Sequence, residues 1–481
     1  MKICLLNDSF PPVIDGVVNA VLNYASVLTQ DGHDVLVGTP RYPDTDYSVY
    51  PYRVVTYPSL NTSALTGGYR AGYPFPVEEM AKMTSFAPDI IHTHCPITSG
   101  FVARSLRDTT GSPVILTWHT KYDVDVHNSI HDPLLASESI KAIVHNASAC
   151  DEVWAVSHGA GDNLKSLGYE GTIRVMPNGV DFEKGAASRE EVIRACTGFD
   201  LPADVPVFLF VGRLMNYKGL PLLIDAFRMI AEKEDFRMVF VGKGNDRDSL
   251  IEKIREYGFP YESREEDGEI HSFSGYLANG KFIFTGAISQ RNVLRAWNTR
   301  ADLFLFPSTF DTNGLVVREA AACGLASMLI KDSCAAEGIT DGRNGYLIDE
   351  NAQAAAEFLK YACHHTDELH QAGARAQDEI YISWREAVRQ AEKAYGEVMD
   401  NARAGLYLRK KELFDDPLFE MSANAIYRYM DERSKTPPQF SGMLDNLQAV
   451  HENALSFFQK NISRISEDLP DDLKRILKHD D

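Results

Sequence analysis

Two carboxylates, Asp311 and Glu319, stand eight positions apart in the segment 308–320. The apolar run before them, residues 301–307, predicts a buried strand that ends at a proline. A strand, a glycine-containing loop and a helix start together form an anion site, because unpaired backbone N–H groups and the positive end of the helix face the loop. The segment therefore predicts a site for phosphate or pyrophosphate.

Carboxylates beside a phosphate site need a neutral partner, because negative groups repel each other. The hydroxyls of a sugar attached to the phosphate supply such a partner, so the segment predicts a nucleotide-sugar site. The alternative is a capped helix on which Glu319 is only a solvated surface residue.

The segment resembles the paired-acid signature of the retaining glycosyltransferases of family 4, which are two-domain enzymes of the GT-B type. Their usual pattern is Glu, seven residues, Glu, and here Asp311 takes the first place. The run Asp-Thr-Asn-Gly-Leu-Val is most similar to the branch that glucosylates diacylglycerol. The resemblance implies that Glu319 binds the ribose hydroxyls and Asp311 the sugar hydroxyls. It assigns the phosphates to backbone amides at the helix start, those of Gly314, Leu315 and Val316.

Two cations, Arg213 and Lys218, follow the first strand of the second half. Cations at this point would hold a pyrophosphate and stabilise the charge that grows on it as the sugar leaves. Their order is similar to the Gly-Arg-Leu and Lys-Gly elements of the family, which implies that both are leaving-group residues. Lys218 as an ordinary surface lysine is the alternative. Gly242 and Gly244, at another strand end, would let the backbone approach the nucleotide.

The N-terminal half contains candidate residues for the donor site and for the acceptor site. Gly16 opens a helix after the first strand and is a candidate for close approach to the donor phosphates, with a plain Asp-Gly turn as the alternative. His119 lies in a run similar to the Thr-x-His-Thr-x-Tyr pattern of the lipid-glucosylating branch. The resemblance implies that His119 lies beside the reacting sugar carbon, whereas a satisfied core histidine is the alternative. Tyr122 is the candidate on the acceptor side.

Two short runs of residues resemble metal-binding sites. Asp123 and Asp125 resemble the acid pair of the single-domain glycosyltransferases, and His92 and His94 point to one side of a strand next to Cys95. Neither run has an identified third ligand, and the two cations proposed at the pyrophosphate make a divalent ion unnecessary. We therefore expect no metal and no cofactor beyond the nucleotide-sugar substrate.

Short apolar strands alternate with amphipathic helices in the first half, which is typical of a parallel sheet covered on both faces. The strands predicted there are 2–6, 34–37, 89–92, 114–117, 153–156 and 173–176. A turn at 177–181 and a polar stretch to about residue 206 predict the hinge. A second series then begins, with strands predicted at 207–211, 238–241, 282–285, 303–306 and 326–330, and an insertion at about 258–280.

The predicted fold class is α/β, with two facing Rossmann-like domains of the GT-B type and a C-terminal helical extension. We predict an acceptor domain over 1–182 and a nucleotide-sugar domain over 183–382. The segment 383–403 resembles the family's crossover helix back to the N-terminal domain, and 404–481 is predicted as the extension. Ligands of such sheets bind at the carboxyl ends of the strands, so two facing halves create one cleft.

Length, charge and cysteines set further bounds. A chain of 481 residues is too long for one core, and its net charge of −20 argues against a nucleic-acid partner. No apolar run of about 18 residues is present and the chain starts with a strand pattern, which predicts a cytoplasmic protein with peripheral contact at the inner face of the membrane left open. The seven dispersed cysteines are predicted to be reduced.

These features predict a metal-independent hexosyltransferase that uses a nucleotide-sugar donor, and the resemblance to family 4 implies that the transfer retains configuration. The two local resemblances favour glucose from UDP-glucose and a membrane lipid such as diacylglycerol as the acceptor. Transfer of mannose or another hexose to a soluble glycan or a small molecule is the second hypothesis. The third is an inactive, glycosyltransferase-like assembly subunit. The sequence predicts no particular oligomeric state.

Overall fold

The computed structural model describes residues 1–62, 69–130, 132–408, 422 and 424–431. It contains two large, mainly parallel sheets, each flanked by helices, and a short two-stranded hairpin. The predicted α/β class with two Rossmann-like domains of the GT-B type is therefore confirmed.

The N-terminal sheet has seven parallel strands in the order β3-β2-β1-β6-β7-β8-β9. Strands β4 and β5 form the separate antiparallel hairpin. The bounds are β1 (Lys2–Leu6), β2 (Asp34–Pro40), β3 (Arg53–Tyr57), β4 (Ser59–Asn61), β5 (Arg70–Gly72), β6 (Ile90–Thr93), β7 (Val114–Trp118), β8 (Glu152–Ala155) and β9 (Ile173–Val175).

The C-terminal sheet has eight strands in the order β13-β12-β14-β11-β10-β15-β16-β17, and only the edge strand β13 runs antiparallel to its neighbour. The predicted insertion supplies that edge as a hairpin of β12 and β13. The bounds are β10 (Val207–Val211), β11 (Arg237–Val241), β12 (Tyr261–Arg264), β13 (Ile270–Phe273), β14 (Lys281–Gly286), β15 (Leu303–Phe306), β16 (Ser327–Ile330) and β17 (Tyr346–Ile348).

The central strands are buried along their whole length because helices cover both faces of each sheet. Every residue of β7, β10, β11 and β15 is buried, so no alternation between polar and apolar residues remains. The helices are α1 (Gly16–Gln30), α2 (Val77–Phe86), α3 (Thr98–Thr110), α4 (Tyr122–Ser129), α5 (Pro133–Ala149), α6 (His158–Ser166), α7 (Arg189–Cys196), α8 (Leu220–Ile230), α9 (Arg247–Glu256), α10 (Arg291–Arg300), α11 (Leu315–Ala322), α12 (Ala352–His364), α13 (Thr366–Glu379) and α14 (Trp384–Arg403).

The chain crosses between the two sheets twice, and the two crossing segments touch. Val180 donates its backbone N–H to the carbonyl of Ile382 at 3.0 Å. A Cβ atom on Gly179 would lie 2.4 Å from the Cα atom of Trp384, so only glycine fits there. Helix α14 then packs against α1 and buries its apolar face in the N-terminal core. The numerical domain limits given above stay predictions.

The predicted extension lies mostly outside the described residues. Within the described part, Ile426 is fully buried in the N-terminal core and the Tyr427 hydroxyl donates to the carbonyl of Thr109 at 2.6 Å. Among the helices that the structure describes, none combines the length and the apolar character that crossing a bilayer requires.

Candidate active site

The candidate site lies between the carboxyl ends of the two sheets. β7 ends at Trp118 and is followed by His119, whereas β15 ends at Phe306 and is followed by the loop that carries Asp311. The two loops touch, because the Thr312 hydroxyl donates a hydrogen bond of 2.7 Å to the carbonyl oxygen of His119. The structure thus brings His119 and Asp311 to one cleft.

Helix α11 begins without a side-chain cap. Gly314 occupies the N-cap position at φ 55° and ψ 47°, a left-handed conformation that favours glycine. A Cβ atom there would also lie 2.9 Å from the Cβ atom of Ala335. Within the described residues no side chain accepts from the backbone N–H groups of Leu315 and Val316, so both stay available to an anion. Their role in phosphate binding stays a prediction.

Asp311 is held by two side chains. Lys218 Nζ lies 2.6 and 2.7 Å from the two carboxylate oxygens, and the Ser308 hydroxyl donates to one of them at 2.6 Å. Lys218 is only 7% exposed, with its ammonium near the rings of Tyr217, Phe306 and Phe310. The structure therefore places Lys218 against Asp311, a contact that the sequence did not predict. Its contact with a pyrophosphate stays a prediction.

Glu319 has a partner that the sequence analysis missed. Arg291, the first residue of α10, donates to the carboxylate of Glu319 at 2.5 Å and stacks its guanidinium on Phe182 at 4.4 Å. Burial raises the pKa of Glu319, Arg291 opposes that rise, and the nearby Asp181 adds to it. No spacing rule links Arg291 with Glu319 in the sequence. The alternative interpretation, in which Glu319 is only a solvated surface residue, does not hold, because its side chain is 12% exposed.

Arg213 follows β10 and lies at the same cleft. Its guanidinium is 6.0 Å from the ring centre of Tyr217, and its charge lowers the pKa of Asp125 in the opposite domain. Burial has the larger effect on Asp125, so the pKa of that carboxyl is raised overall. Arg213 is therefore a cation that faces the N-terminal half across the cleft.

Gly242 and Gly244 are required by the backbone of the neighbouring loop. A Cβ atom on Gly242 would lie 1.9 Å from the carbonyl oxygen of Gly212, and one on Gly244 would lie 2.1 Å from that of Leu214. Packing between the two loops thus explains both glycines without a ligand. Their predicted contact with the nucleotide stays a prediction.

His119 is part of a buried row of histidines. Its Nε2 atom lies 2.9 Å from Nδ1 of His94, and His92 bonds to the hydroxyls of Thr117 and Tyr395. Burial lowers the pKa of His119 to about 3, so the ring is neutral at physiological pH. His92 and His94 therefore serve hydrogen bonds within the core.

Tyr122 lies beneath the cleft surface. It is 6% exposed, its ring packs edge-on against Trp118 at 4.6 Å, and its hydroxyl bonds to Cys95. Burial raises the pKa of Tyr122 well above its ordinary value. The structure gives this ring a packing role, and its predicted contact with the acceptor stays a prediction.

The start of α1 already holds a carboxylate. Asp15 caps the helix by accepting from the backbone N–H groups of Val17 and Val18 at 2.8 and 2.7 Å, and it also accepts from the Tyr69 hydroxyl at 2.8 Å. An acid directly before a helix is the usual capping signal, which the sequence analysis did not use. A Cβ atom on Gly16 would lie 3.9 Å from Leu315, so Gly16 borders the cleft but the helix start beside it is negative.

Two family models match the chain. The model described as Glycosyltransferase Family 4 matches residues 14–184, and the model described as Glycosyl transferases group 1 matches residues 198–379. Together they span both sheets and the cleft between them. The chain is a GT-B glycosyltransferase.

Curated relatives of this glycosyltransferase differ in sugar and acceptor. A GDP-mannose-dependent alpha-mannosyltransferase of Corynebacterium glutamicum is 26% identical over 381 residues, which cover 76% of this chain and 82% of the relative. An alpha-monoglucosyldiacylglycerol synthase of Acholeplasma laidlawii is 24% identical over 377 residues, which cover 76% of this chain and 88% of the relative. The relatives therefore agree on glycosyl transfer and differ in its specificity.

Solved structures support the fold of the glycosyltransferase. HepE of Anabaena in complex with UDP is 18% identical and superposes with a TM-score of 0.63 over 82% of this chain and all of that one. Sucrose-phosphate synthase of Thermosynechococcus elongatus is 19% identical, with a TM-score of 0.62 over 83% of this chain and 99% of that one. At these identities the likeness shows a shared two-domain fold.

Several hydrogen bonds hold the two domains of the glycosyltransferase against each other. Ser157 in the N-terminal half donates to the carbonyl of Thr312 at 2.5 Å. The carboxylate of Glu337 accepts from the backbone N–H groups of His158 and Gly159 at 2.8 and 2.6 Å, which caps the start of α6 from the opposite domain. The loop that carries Asp311 is thus fixed to the N-terminal half in this closed arrangement.

Replacing Thr312 with valine is expected to lower kcat for glycosyl transfer by about 3- to 10-fold, because one hydrogen bond across the cleft is lost. Thr312→Ser keeps the hydroxyl that bonds to the His119 carbonyl and should retain most of the rate. Initial rates at saturating donor compare the two variants. An undiminished rate in Thr312→Val would contradict the prediction, and a loss confined to Thr312→Ser would assign the effect to the methyl group.

Proposed function

We propose that this glycosyltransferase transfers glucose from UDP-glucose to an acceptor hydroxyl with retention of configuration. The observation that carries the proposal is the pair of held carboxylates around the uncapped start of α11. Asp311, held by Lys218, precedes that helix start, and Glu319, held by Arg291, follows it. The backbone carbonyl of His119, in the opposite domain, accepts a hydrogen bond from Thr312 in the same loop as Asp311.

The same elements supply a place for each part of the donor. The free amides of Leu315 and Val316 and the cation of Arg213 suit the pyrophosphate. Glu319 suits the two ribose hydroxyls and Asp311 the hydroxyls of the sugar, because carboxylates accept hydrogen bonds from neutral hydroxyls without charge repulsion.

The environment of Asp311 favours direct transfer over a covalent intermediate. Both of its oxygens are engaged by Lys218 and Ser308, and such hydrogen bonds stabilise the carboxylate and make it a weaker nucleophile. We therefore propose that the acceptor hydroxyl attacks on the face that the diphosphate leaves and that a phosphate oxygen takes its proton. The sugar passes through a transition state like an oxocarbenium ion. Arg213 and Lys218 would take the place of a metal ion at the diphosphate, with no cofactor.

Diacylglycerol is the acceptor that we favour. The likeness to the alpha-monoglucosyldiacylglycerol synthase of Acholeplasma laidlawii and the Asp-Thr-Asn-Gly-Leu-Val run support it. Such an acceptor requires peripheral contact with a membrane. The second candidate is transfer of mannose, which the likeness to the GDP-mannose-dependent mannosyltransferase of Corynebacterium glutamicum supports at similar identity.

The deciding experiment measures nucleotide release and glycosyl transfer by the purified full chain. UDP-glucose, UDP-galactose and GDP-mannose are each offered with and without diacylglycerol micelles, in the presence of a chelator. Lipid-dependent release of UDP from UDP-glucose, with an alpha-linked product, is the expected result. Release from GDP-mannose alone would favour the second candidate. Absence of release and of binding with every donor would overturn the proposal in favour of an inactive subunit.

A further inference from the structure

Three histidine rings lie in a row beneath the cleft. The ring centres of His92 and His94 are 4.1 Å apart, and those of His94 and His119 are 5.2 Å apart. His92 and His94 are fully buried, and His119 is 6% exposed. Burial lowers the pKa of each ring, so all three are neutral near pH 7.

His92 lies at the end of the row opposite His119 and can carry its proton on either ring nitrogen. Its Nδ1 atom lies 2.6 Å from the hydroxyl of Tyr395, and its Nε2 atom lies 2.7 Å from the hydroxyl of Thr117. A hydroxyl can donate or accept, so both nitrogens of His92 are satisfied whichever one carries the proton.

Among the described residues, the middle ring of the row, that of His94, has one hydrogen-bond partner. Its Nδ1 atom lies 2.9 Å from Nε2 of His119. Its Nε2 atom is buried and has no hydrogen-bond partner among the residues that the structure describes. A neutral imidazole has one N–H donor and one bare acceptor nitrogen, so only one of the two rings can donate in this bond.

The buried Nε2 atom of His94 decides between the two directions. If His119 donated, the proton of His94 would have to lie on Nε2, which would bury an N–H donor without an acceptor. If His94 donates from Nδ1, its Nε2 atom is a bare acceptor. Orphaned buried N–H groups are rarer than acceptors that lack a partner, so the second direction is favoured.

We propose that His94 is a positioning residue that donates from Nδ1 to Nε2 of His119 and thereby holds the proton of His119 on Nδ1. In the described part of the chain, His119 Nδ1 makes no hydrogen bond and is the nitrogen left for a ligand. His119 then offers an N–H donor, not a lone pair. Given the proposed function, which puts the sugar beside His119, the ring donates to a sugar oxygen and does not act as the base for the acceptor hydroxyl.

Nuclear magnetic resonance of the full chain with ¹⁵N-labelled histidine rings tests this directly, without any substrate. Long-range proton–nitrogen correlations at pH 7 distinguish a protonated ring nitrogen from a bare one. The His119 signals are assigned by their loss in His119→Asn. We expect a protonated Nδ1 and a bare Nε2. A proton on Nε2 of His119 would overturn the proposal.

Two substitutions of His94 separate the hydrogen bond from packing. In His94→Asn the side-chain amide can still donate near the former Nδ1 position, so the tautomer of His119 should persist. In His94→Phe the ring shape remains but the donor is gone, so both tautomers of His119 should appear and kcat should fall about tenfold with little change in KM. His92→Phe, which alters the row but not this bond, should leave the tautomer of His119 unchanged.

Thermal unfolding identifies any variant that fails to fold. If His94→Phe is folded and keeps a single tautomer of His119 with the proton on Nδ1, His94 does not set it and the proposal fails. Because the spectra need no donor or acceptor, such a failure is distinguishable from an error in the proposed function, which the donor panel would reveal.

Discussion

Replacing Glu319 with alanine is expected to lower kcat/KM for the nucleotide-sugar donor by roughly 10²- to 10⁴-fold. In the proposed function the carboxylate holds two ribose hydroxyls, and each hydrogen bond to a charged group contributes about 1.5–3 kcal/mol. Arg291 already fixes the Glu319 carboxylate through a hydrogen bond of 2.5 Å. Donor binding therefore loses little conformational entropy in ordering this side chain. Steady-state kinetics and calorimetric titration with the donor measure the loss.

Two control variants test whether the loss depends on the charge of Glu319 and on its position in the cleft. Glu319→Gln keeps the shape and one acceptor oxygen, so its loss should be intermediate. Glu252 on α9 is an exposed acid of the same domain, and Glu252→Ala should leave both measurements unchanged. Full turnover by a folded Glu319→Ala variant would remove Glu319 from the donor site and contradict the proposed function.

Acid is expected to destabilise the N-terminal domain through its buried histidines. The pKa values of His92, His94 and His119 lie below 6.5 in the folded chain, for His119 at about 3. In the unfolded chain all three return to about 6.5. As the pH falls below 6.5, the three histidines bind protons in the unfolded state but stay neutral in the folded state. The free energy of unfolding therefore falls. The contribution of His119 is fully lost at about pH 3.

The slope of the free energy of unfolding against pH sets the size of this effect. Each proton bound only by the unfolded state changes the free energy of unfolding by about 1.4 kcal/mol per pH unit, so three histidines give up to about 4 kcal/mol per unit. Asp8 acts in the opposite sense, because burial raises its pKa and the folded state takes up its proton first as the pH falls. The net slope should therefore be somewhat smaller.

Urea unfolding between pH 7 and 4.5, followed by tryptophan fluorescence, measures this slope. Trp118 and Trp154 lie in the N-terminal core, so Trp297→Phe removes the signal of the C-terminal core. In that background His92→Phe should reduce the slope by about one proton, whatever its effect on stability at pH 7. An unfolding free energy that does not change with pH, or an unchanged slope in His92→Phe, would contradict the prediction.

The contiguous parts of the site and the main strands could be predicted from the sequence. Parallel strands buried on both faces are mostly apolar, so β10 and β15 appear as uninterrupted apolar runs between polar loops. The segment from Ser308 to Glu319 also carries its own signal, because a strand end, a glycine and a helix start follow one another directly. Short strands such as β3 and β17 escaped prediction, because their bounds depend on neighbouring strands.

Several residues with a predicted ligand role also have a structural role in the folded chain, and the ligand role stays a prediction for each of them. Tyr122, assigned to the acceptor side, is buried against Trp118. The start of α1, where Gly16 was assigned to the donor phosphates, is capped by the carboxylate of Asp15. Close approach to the backbone of Leu214 is enough to explain why position 244 is a glycine. In each of these cases the residue type was compatible with two roles, and the packing around it had no trace in the local sequence.

By itself the sequence determined the strand and helix series, the two-domain fold and the residue types at the cleft, because these depend on local apolar patterns and on turn and capping chemistry. Which groups act together depends on the packing of the folded chain, which pairs Lys218 with Asp311, Arg291 with Glu319, and His94 with His119. The members of these pairs lie 93, 28 and 25 residues apart along the chain. Their contacts follow from the order of strands in each sheet, which leaves no signature in residue spacing.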